Sequence, residues 1–299
     1  MMQPIGWTDA QARSTAVAMC HQAGLPSSEL ELLRLGSNAV FRVEKRFVLR
    51  VMRPGTSDAA AQQEIALVRD FARLGVPTVR LVALPVDQPL QADGCLGTVW
   101  EQLQPADPEA VYRQLGELLT TFHERTDDLA VRLEQWDPLD SAGQRLAELD
   151  DSYPAADLAM LRDWYQRVSD TLSRLHYVLP PGVIHGQAEV GNVLLRAGQP
   201  VLIDFERVAL GPPEWDLIDT AVTITRFGRP EARYRAFADA YGFDVRAWDG
   251  YDTLRRLWEL RATTWLMQNK SHGPGVAEQI EVRLQTWRDD DPDARWSGF

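Results

Sequence analysis

Cysteine is scarce: Cys20 and Cys95 are the only two in 299 residues. Neither has a partner at CxxC spacing, which argues against a zinc framework. Both read as reduced, mostly buried thiols, with a disulfide between them as the less expected outcome. No apolar run approaches the roughly 20 residues of a membrane span. The opening MMQPIGWTDAQ has neither a basic n-region nor an apolar h-region, so it is not read as a signal peptide, and the expected location is the cytoplasm. Positive charge is also in deficit. The chain has 31 Lys and Arg against 43 Asp and Glu, a net charge of −12 and a pI near 4.9. That balance excludes a basic nucleic-acid footprint and a polybasic membrane patch. It suits a cationic small molecule, although solubility alone accounts for it. Internal repeats and low-complexity blocks are missing too.

What is present falls into two parts. Thr8 and Gln11 have capping-box spacing ahead of Ala12, Ala16, Met19 and Cys20, so a first helix is expected to end near Gly24. Three strands are expected over 30–36, 39–45 and 46–52, with Glu44–Arg46 as a tight hairpin. A helix over 58–75 places Ile65, Val68 and Phe71 on one face. Two more strands are expected over 78–84 and 96–103. Beyond the prolines of 103–108 the pattern turns helical. Asp107 is the expected N-cap of a helix over 107–126, and another helix spans 157–176. A hairpin of strands over 192–197 and 200–205 interrupts the helices, which resume near Pro213, Pro230 and Asp252.

The hairpin is where chemistry concentrates. His185, Gln187 and Asn192 precede its first strand, and Asp204, Phe205 and Glu206 end its second. Asn192 and Asp204 sit at matching ends of the ribbon. Their oxygens suit one hard cation, and Mg²⁺ takes one or two protein oxygens plus substrate phosphates.

The run HGQAEVGNVLL…PVLIDFERVALGPPEWDL resembles the signature of the aminoglycoside phosphotransferase and choline kinase family, relatives of protein kinases. Antibiotic-acting members of the kind common in actinomycetes are nearest in pattern. The resemblance implies an α+β, bilobal protein-kinase-like fold. A small antiparallel-sheet N-lobe with one inserted helix would cover residues 1–103, and a larger, mainly helical C-lobe residues 104–299. It implies transfer of the γ-phosphate of ATP (or GTP) to a hydroxyl of a small molecule, with Asn192 and Asp204 holding Mg²⁺. Ser37 and Asn38, in LGSNAVFRV, fall at the nucleotide-covering turn. Arg50 falls where the phosphate-pairing Lys is expected, and an Arg fork can grip phosphate oxygens there with altered geometry. Glu64 falls at its partner carboxylate. Glu101 and Leu103 fall at the segment whose backbone meets the adenine edge. His185 braces the loop. Asp216 is expected to accept backbone N–H groups near that loop. Trp258 and Trp265, seven apart, are expected to share a packed helix face.

The departure is Gln187, where the family carries its catalytic Asp. Gln takes no proton at neutral pH but still accepts a hydrogen bond. General-base help is worth about 10²–10⁴ in rate. Positioning and electrostatics carry more of a loose phosphoryl transfer. Gln187 can therefore orient the acceptor while the proton leaves late. Glu189 is a substitute base only if the loop is arranged differently. Three functions compete: a small-molecule kinase acting on an antibiotic-like or sugar-containing acceptor, a nucleotide-binding pseudokinase with a regulatory or interaction role, and a metal-independent metabolite binder. A monomer or weak homodimer is expected.

Overall fold

The computed structural model describes residues 8–36, 38–126, 129, 133–149, 152–270, 273 and 275–298. Ser37, assigned above to the nucleotide-covering turn, lies outside them. In chain order the first elements are α1 (Asp9–Ala23), β1 (Leu30–Leu35), β2 (Ala39–Val43), β3 (Phe47–Val51), α2 (Asp58–Arg73), β4 (Leu90–Ala92), β5 (Cys95–Glu101) and β6 (Gln104–Pro105). Then come α3 (Val111–Arg125), α4 (Asp140–Glu148), α5 (Ala155–Leu172), β7 (Gly182–Ile184), β8 (Val193–Arg196), β9 (Gln199–Leu202) and β10 (Ala209–Gly211). The chain ends in α6 (Glu214–Arg226), α7 (Glu231–Tyr241), α8 (Tyr251–Gln268) and α9 (Val276–Asp289). These elements fall into two compact units. One joins the residues up to Ala106 to Asn192–Glu206, and the other is built mainly from Asp107–Gly191 and Arg207 onward.

The first unit is an antiparallel sheet in the order β1-β2-β3-β5-β4. Its strands alternate as a half-buried sheet should: Ala39, Phe41 and Val43 are buried while Val40 and Arg42 are half-buried. Glu44 and Lys45 both take positive φ in the β2–β3 turn, matching the twist of the paired strands. The capping box of Thr8 and Gln11 starts α1, and Gly24 ends it in the left-handed conformation. Ala12, Ala16, Met19 and Cys20 pack with Phe41, Val43, Leu49, Val51 and Val99 in one apolar cluster. Cys95 belongs to the same cluster, and both cysteines are free and buried. A second sheet, β6-β8-β9, completes this unit.

The expected strand over 78–84 does not form. Only single bridges occur there, Thr78 with Leu202 and Leu81 with Trp100. The Gln88 side chain explains the failure: its amide accepts from Val99 N–H (2.6 Å) and donates to the Val82 carbonyl (2.8 Å), taking ladder positions a strand would use. Nor does Asp107 cap a helix. Its carboxylate closes a turn on Glu109 N–H (3.0 Å), and α3 starts at Val111. The helix expected over 157–176 runs two residues earlier and ends at Leu172.

In the second unit α3 buries Leu115, Leu118, Leu119 and Phe122. β7 pairs with β10. A cluster built on Leu161, Leu260, Leu266, Val276 and Trp287 joins α5, α8 and α9. Among the described residues no helix is long and apolar enough to cross a membrane.

Candidate active site

The first unit gathers the groups suited to phosphate and metal. On β3, Arg50 pairs with Glu64 of α2, and both side chains are nearly buried. Its other guanidinium nitrogen donates to Glu206 (3.1 Å), which also accepts from the Asn38 amide (2.6 Å). Asn38 in turn accepts from Arg53 N–H (3.2 Å). Alternation along β3 aims Arg50 away from buried Leu49 and Val51, and Glu64 is among the buried residues of α2. The chain's only two lysines, Lys45 and Lys270, lie elsewhere, so Arg50 is the cation of this position.

Burial pulls the Arg50 guanidinium down, but the charge and hydrogen bond of Glu64, with Glu206 and Asp204 behind it, outweigh that and hold it above its ordinary value. Glu64 is raised as well. Burial is the main cause, opposed by Arg50 and reinforced by the charges of Glu206 and Asp204. Three carboxylates thus face one guanidinium. Surplus negative charge of this kind is relieved by a cation.

The ends of the β8–β9 hairpin supply donors for one. Val193 pairs with Leu202, and Ile203 N–H donates to the Asn192 carbonyl (3.0 Å). Asn192 and Asp204 therefore flank the same end of the ribbon. Asn192 is buried, and Asp204 adopts a left-handed backbone (φ 68°) that an Asp tolerates at modest cost. One amide and one carboxylate oxygen fit Mg²⁺, which leaves most of its positions to water and phosphate. Among the described residues no cluster of three or more His, Cys, Asp or Glu could hold a metal, and a two-donor site needs none.

At the end of β5 the Glu101 carboxylate is engaged by the Arg196 guanidinium (3.0 and 2.9 Å) and by Arg80 N–H (2.8 Å). Its side chain therefore braces β8, and any base contact here falls to the main chain. Leu103 follows, buried, its carbonyl accepting from Gln102 (2.8 Å).

The second unit holds the loop 185–189. Asp216, in the first turn of α6, accepts from His185 N–H (2.7 Å) and Gly186 N–H (2.8 Å), as its place in the sequence suggests. His123 of α3 joins Asp216 (2.9 Å) and is itself bonded to the Tyr241 hydroxyl (2.9 Å). Gly186 is required: its φ is +80°, and a Cβ would collide with the Arg207 carbonyl. Trp215 closes the loop by donating to the Gly186 carbonyl (3.1 Å). The His185 ring is wholly buried beside Phe122, their centroids 6.1 Å apart, so it lies inside the loop's foundation.

Gln187 is exposed at the tip of the loop. A tight turn, Glu189 N–H to the Gln187 carbonyl (3.0 Å), folds the chain back so that the Gln187 amide reaches Glu189 (3.5 Å). Glu214, at the start of α6, is fully buried and accepts from Val178 and Leu179 N–H (2.6 and 2.8 Å). The expectation of a shared packed face for Trp258 and Trp265 also fails. Trp258 turns inward to donate to Asp219 (2.9 Å), while Trp265 is 39% exposed.

Sequence reasoning missed Glu206 as the partner of Arg50 and Asn38, and His123, Tyr241 and Asp219. Spacing alone does not reveal these, because each meets its partner through tertiary packing. The one local signal was Asp219, a second carboxylate three residues beyond Asp216 and so on an adjoining helix position.

The sequence matches the profile of the phosphotransferase enzyme family across residues 30–257. Among solved structures, an amicoumacin kinase in complex with AMP-PNP, Ca²⁺ and Ami superimposes with a TM-score of 0.76 at 14% identity, covering 97% of this chain and 98% of that one. A choline/ethanolamine kinase family protein from Mesorhizobium loti gives 0.67 at 20% identity, covering 95% of each. At these identities the likeness establishes the fold, an α+β protein-kinase-like one with an antiparallel N-terminal sheet and a mostly helical C-terminal part. A curated relative, the BUD32 subunit of the EKC/KEOPS complex of Yarrowia lipolytica, is 29% identical over 87 residues, and the match spans 34% of its length.

Proposed function

Because the chain belongs to the phosphotransferase enzyme family, we propose that it is a small-molecule kinase: it transfers the γ-phosphate of ATP (or GTP) to a hydroxyl of an antibiotic-like or sugar-containing acceptor. The observation that carries this reading is the intact charge arrangement of the first unit. Arg50 is held by Glu64 and faces Glu206 and Asp204, with Asn192 across the ribbon. A fold that had abandoned nucleotide handling would have little reason to keep a nearly buried guanidinium among three carboxylates, an arrangement that is costly unless it is paired.

In this reading Arg50 grips nucleotide phosphate oxygens while Glu64 fixes its orientation. Asn38 belongs to the turn that covers the nucleotide, with Ser37 beside it. The main chain at Glu101 and Leu103 meets the base. Asn192 and Asp204 would hold Mg²⁺, which when bound neutralises charge on the phosphates. Residues 1–103, joined by the 192–206 hairpin, form the nucleotide lobe, and the rest of 104–299 forms the acceptor lobe. His185 and Asp216 keep the loop rigid. Gln187 accepts or donates a hydrogen bond to the acceptor hydroxyl and so orients it. Glu189, drawn back by the turn, is a carboxylate beside it. The net charge of −12 is compatible with an acceptor that carries a positive group. The alternative, a nucleotide-binding pseudokinase, is favoured by one observation only, the amide at position 187.

The test is mass spectrometry of mixed aminoglycosides, nucleoside antibiotics and amino-alcohols incubated with the protein and Mg²⁺-ATP or Mg²⁺-GTP. A product heavier by one phosphoryl group supports the kinase. Tight Mg²⁺-nucleotide binding with no product from any acceptor supports the pseudokinase.

A further inference from the structure

The Arg50 guanidinium is held on three sides. Its Nη2 pairs with Glu64, its plane lies by the Trp100 ring (5.6 Å to the centroid), and its Nη1 donates to Glu206 (3.1 Å). The same oxygen of Glu206, Oε1, also accepts from the Asn38 amide (2.6 Å). Asn38 is fixed in turn, since its own oxygen accepts from Arg53 N–H (3.2 Å). Among the described residues these are the only hydrogen bonds of the Glu206 carboxylate.

The two carboxylates on Arg50 differ in exposure. The Glu64 side chain is 6% exposed and that of Arg50 12%, against 41% for Glu206. Glu64 thus holds the guanidinium from the interior, while Glu206 covers it from the solvent side. The Glu206 backbone is anchored, because Phe205 before it is buried against Phe71 of α2, their ring centroids 5.0 Å apart. Release of the carboxylate therefore needs only a rotamer change, which an exposed side chain makes in picoseconds to nanoseconds. Two N–H donors converging on one anionic oxygen are also what a phosphate oxygen takes. A carboxylate and a phosphate cannot both have these donors, and side by side they repel.

We propose that Glu206 is an internal stand-in for a nucleotide phosphate: it occupies the Arg50 and Asn38 donors, is displaced when a phosphate takes them, and so sets how tightly the site holds its nucleotide. The inference rests on the kinase reading above, in which those two residues meet the nucleotide. It gives Glu206 a part in specificity and none in the chemistry. Every polyphosphate has to displace it, so ATP, ADP and bare tripolyphosphate are all held more loosely than the donors alone would hold them. A nucleoside without phosphate does not meet it. With the donors free in about one molecule in ten, the apparent Kd is about tenfold weaker than the intrinsic one.

Calorimetry of the full chain with ATP, ADP, tripolyphosphate and adenosine, each in EDTA and in Mg²⁺, tests the idea. Glu206→Gln, which keeps the size and loses the charge, should tighten the three phosphate compounds about tenfold and leave adenosine within twofold. Glu206→Ala, which removes the contact altogether, should do the same. In ¹⁵N spectra the Asn38 side-chain amide, assigned with Asn38→Ala, should move when tripolyphosphate is added to the unmodified protein. An Asn38 signal unmoved at saturating tripolyphosphate overturns the proposal. So does unchanged affinity in both variants, the result of a merely structural contact. Weaker binding of Mg²⁺-ATP in the variants, the result of a carboxylate that holds the metal, overturns it too. Each of these leaves the kinase reading standing. No binding of ATP or tripolyphosphate by the protein or by either variant overturns both.

Discussion

Arg50 carries the account at the scale of single residues. Its guanidinium satisfies Glu64 on one side and Glu206 on the other, a span that one ammonium group does not reproduce. Removing it strands a nearly buried carboxylate. Arg50→Ala should cost on the order of 3 kcal/mol in stability, read as a lower urea midpoint. It should also weaken Mg²⁺-ATP binding at least tenfold, read by calorimetry. Unchanged nucleotide affinity would remove Arg50 from the phosphate site. Asp219 makes a second prediction at this scale, about stability. Its carboxyl is raised in the folded protein to about 7, from an ordinary 3.8. Below about 4 it is protonated whether folded or not. As pH rises from 4 to 7 the unfolded chain gives up the proton first, so stability falls across that window. Urea unfolding at several pH values should show that slope, and Asp219→Asn should flatten it.

The loop 185–189 is an element held from behind. Its backbone is fixed by both oxygens of Asp216, by Trp215 and by the contact of Gly186 with the Arg207 carbonyl. Gly186→Ala should therefore be worse than a usual Gly-to-Ala change. Positive φ and the collision together should destabilise by about 2 kcal/mol or more and lower kcat, checked by thermal unfolding and initial rates. Asp216→Ala should lower kcat about a hundredfold and leave nucleotide Kd within a few-fold, because Arg50, Glu64, Asn192 and Asp204, the groups proposed for the nucleotide, sit on other elements. An equal loss in Kd would show that Asp216 supports more than the loop. Elements with a strong local code were legible in the sequence. The capping box of Thr8, the 44–46 turn and the 192–205 hairpin all announce themselves through neighbours in the chain. The failed strand at 78–84 was decided by Gln88, a side chain whose hydrogen bonds no periodicity encodes.

For the whole molecule, the family and fold were readable from one joint motif, since its parts fall in order on the expected elements. Pairings made across the fold were not readable: Trp258 of α8 meets Asp219 of α6 (2.9 Å) only once the helices pack. The most direct test of the account places the protein and its Gln187→Asp variant side by side with Mg²⁺-ATP and one acceptor panel, with phosphorylated products read by mass spectrometry. The account predicts product from the unmodified protein at a rate near or above that of the variant. Product from the Asp variant alone would contradict it, leaving a kinase scaffold turned to binding.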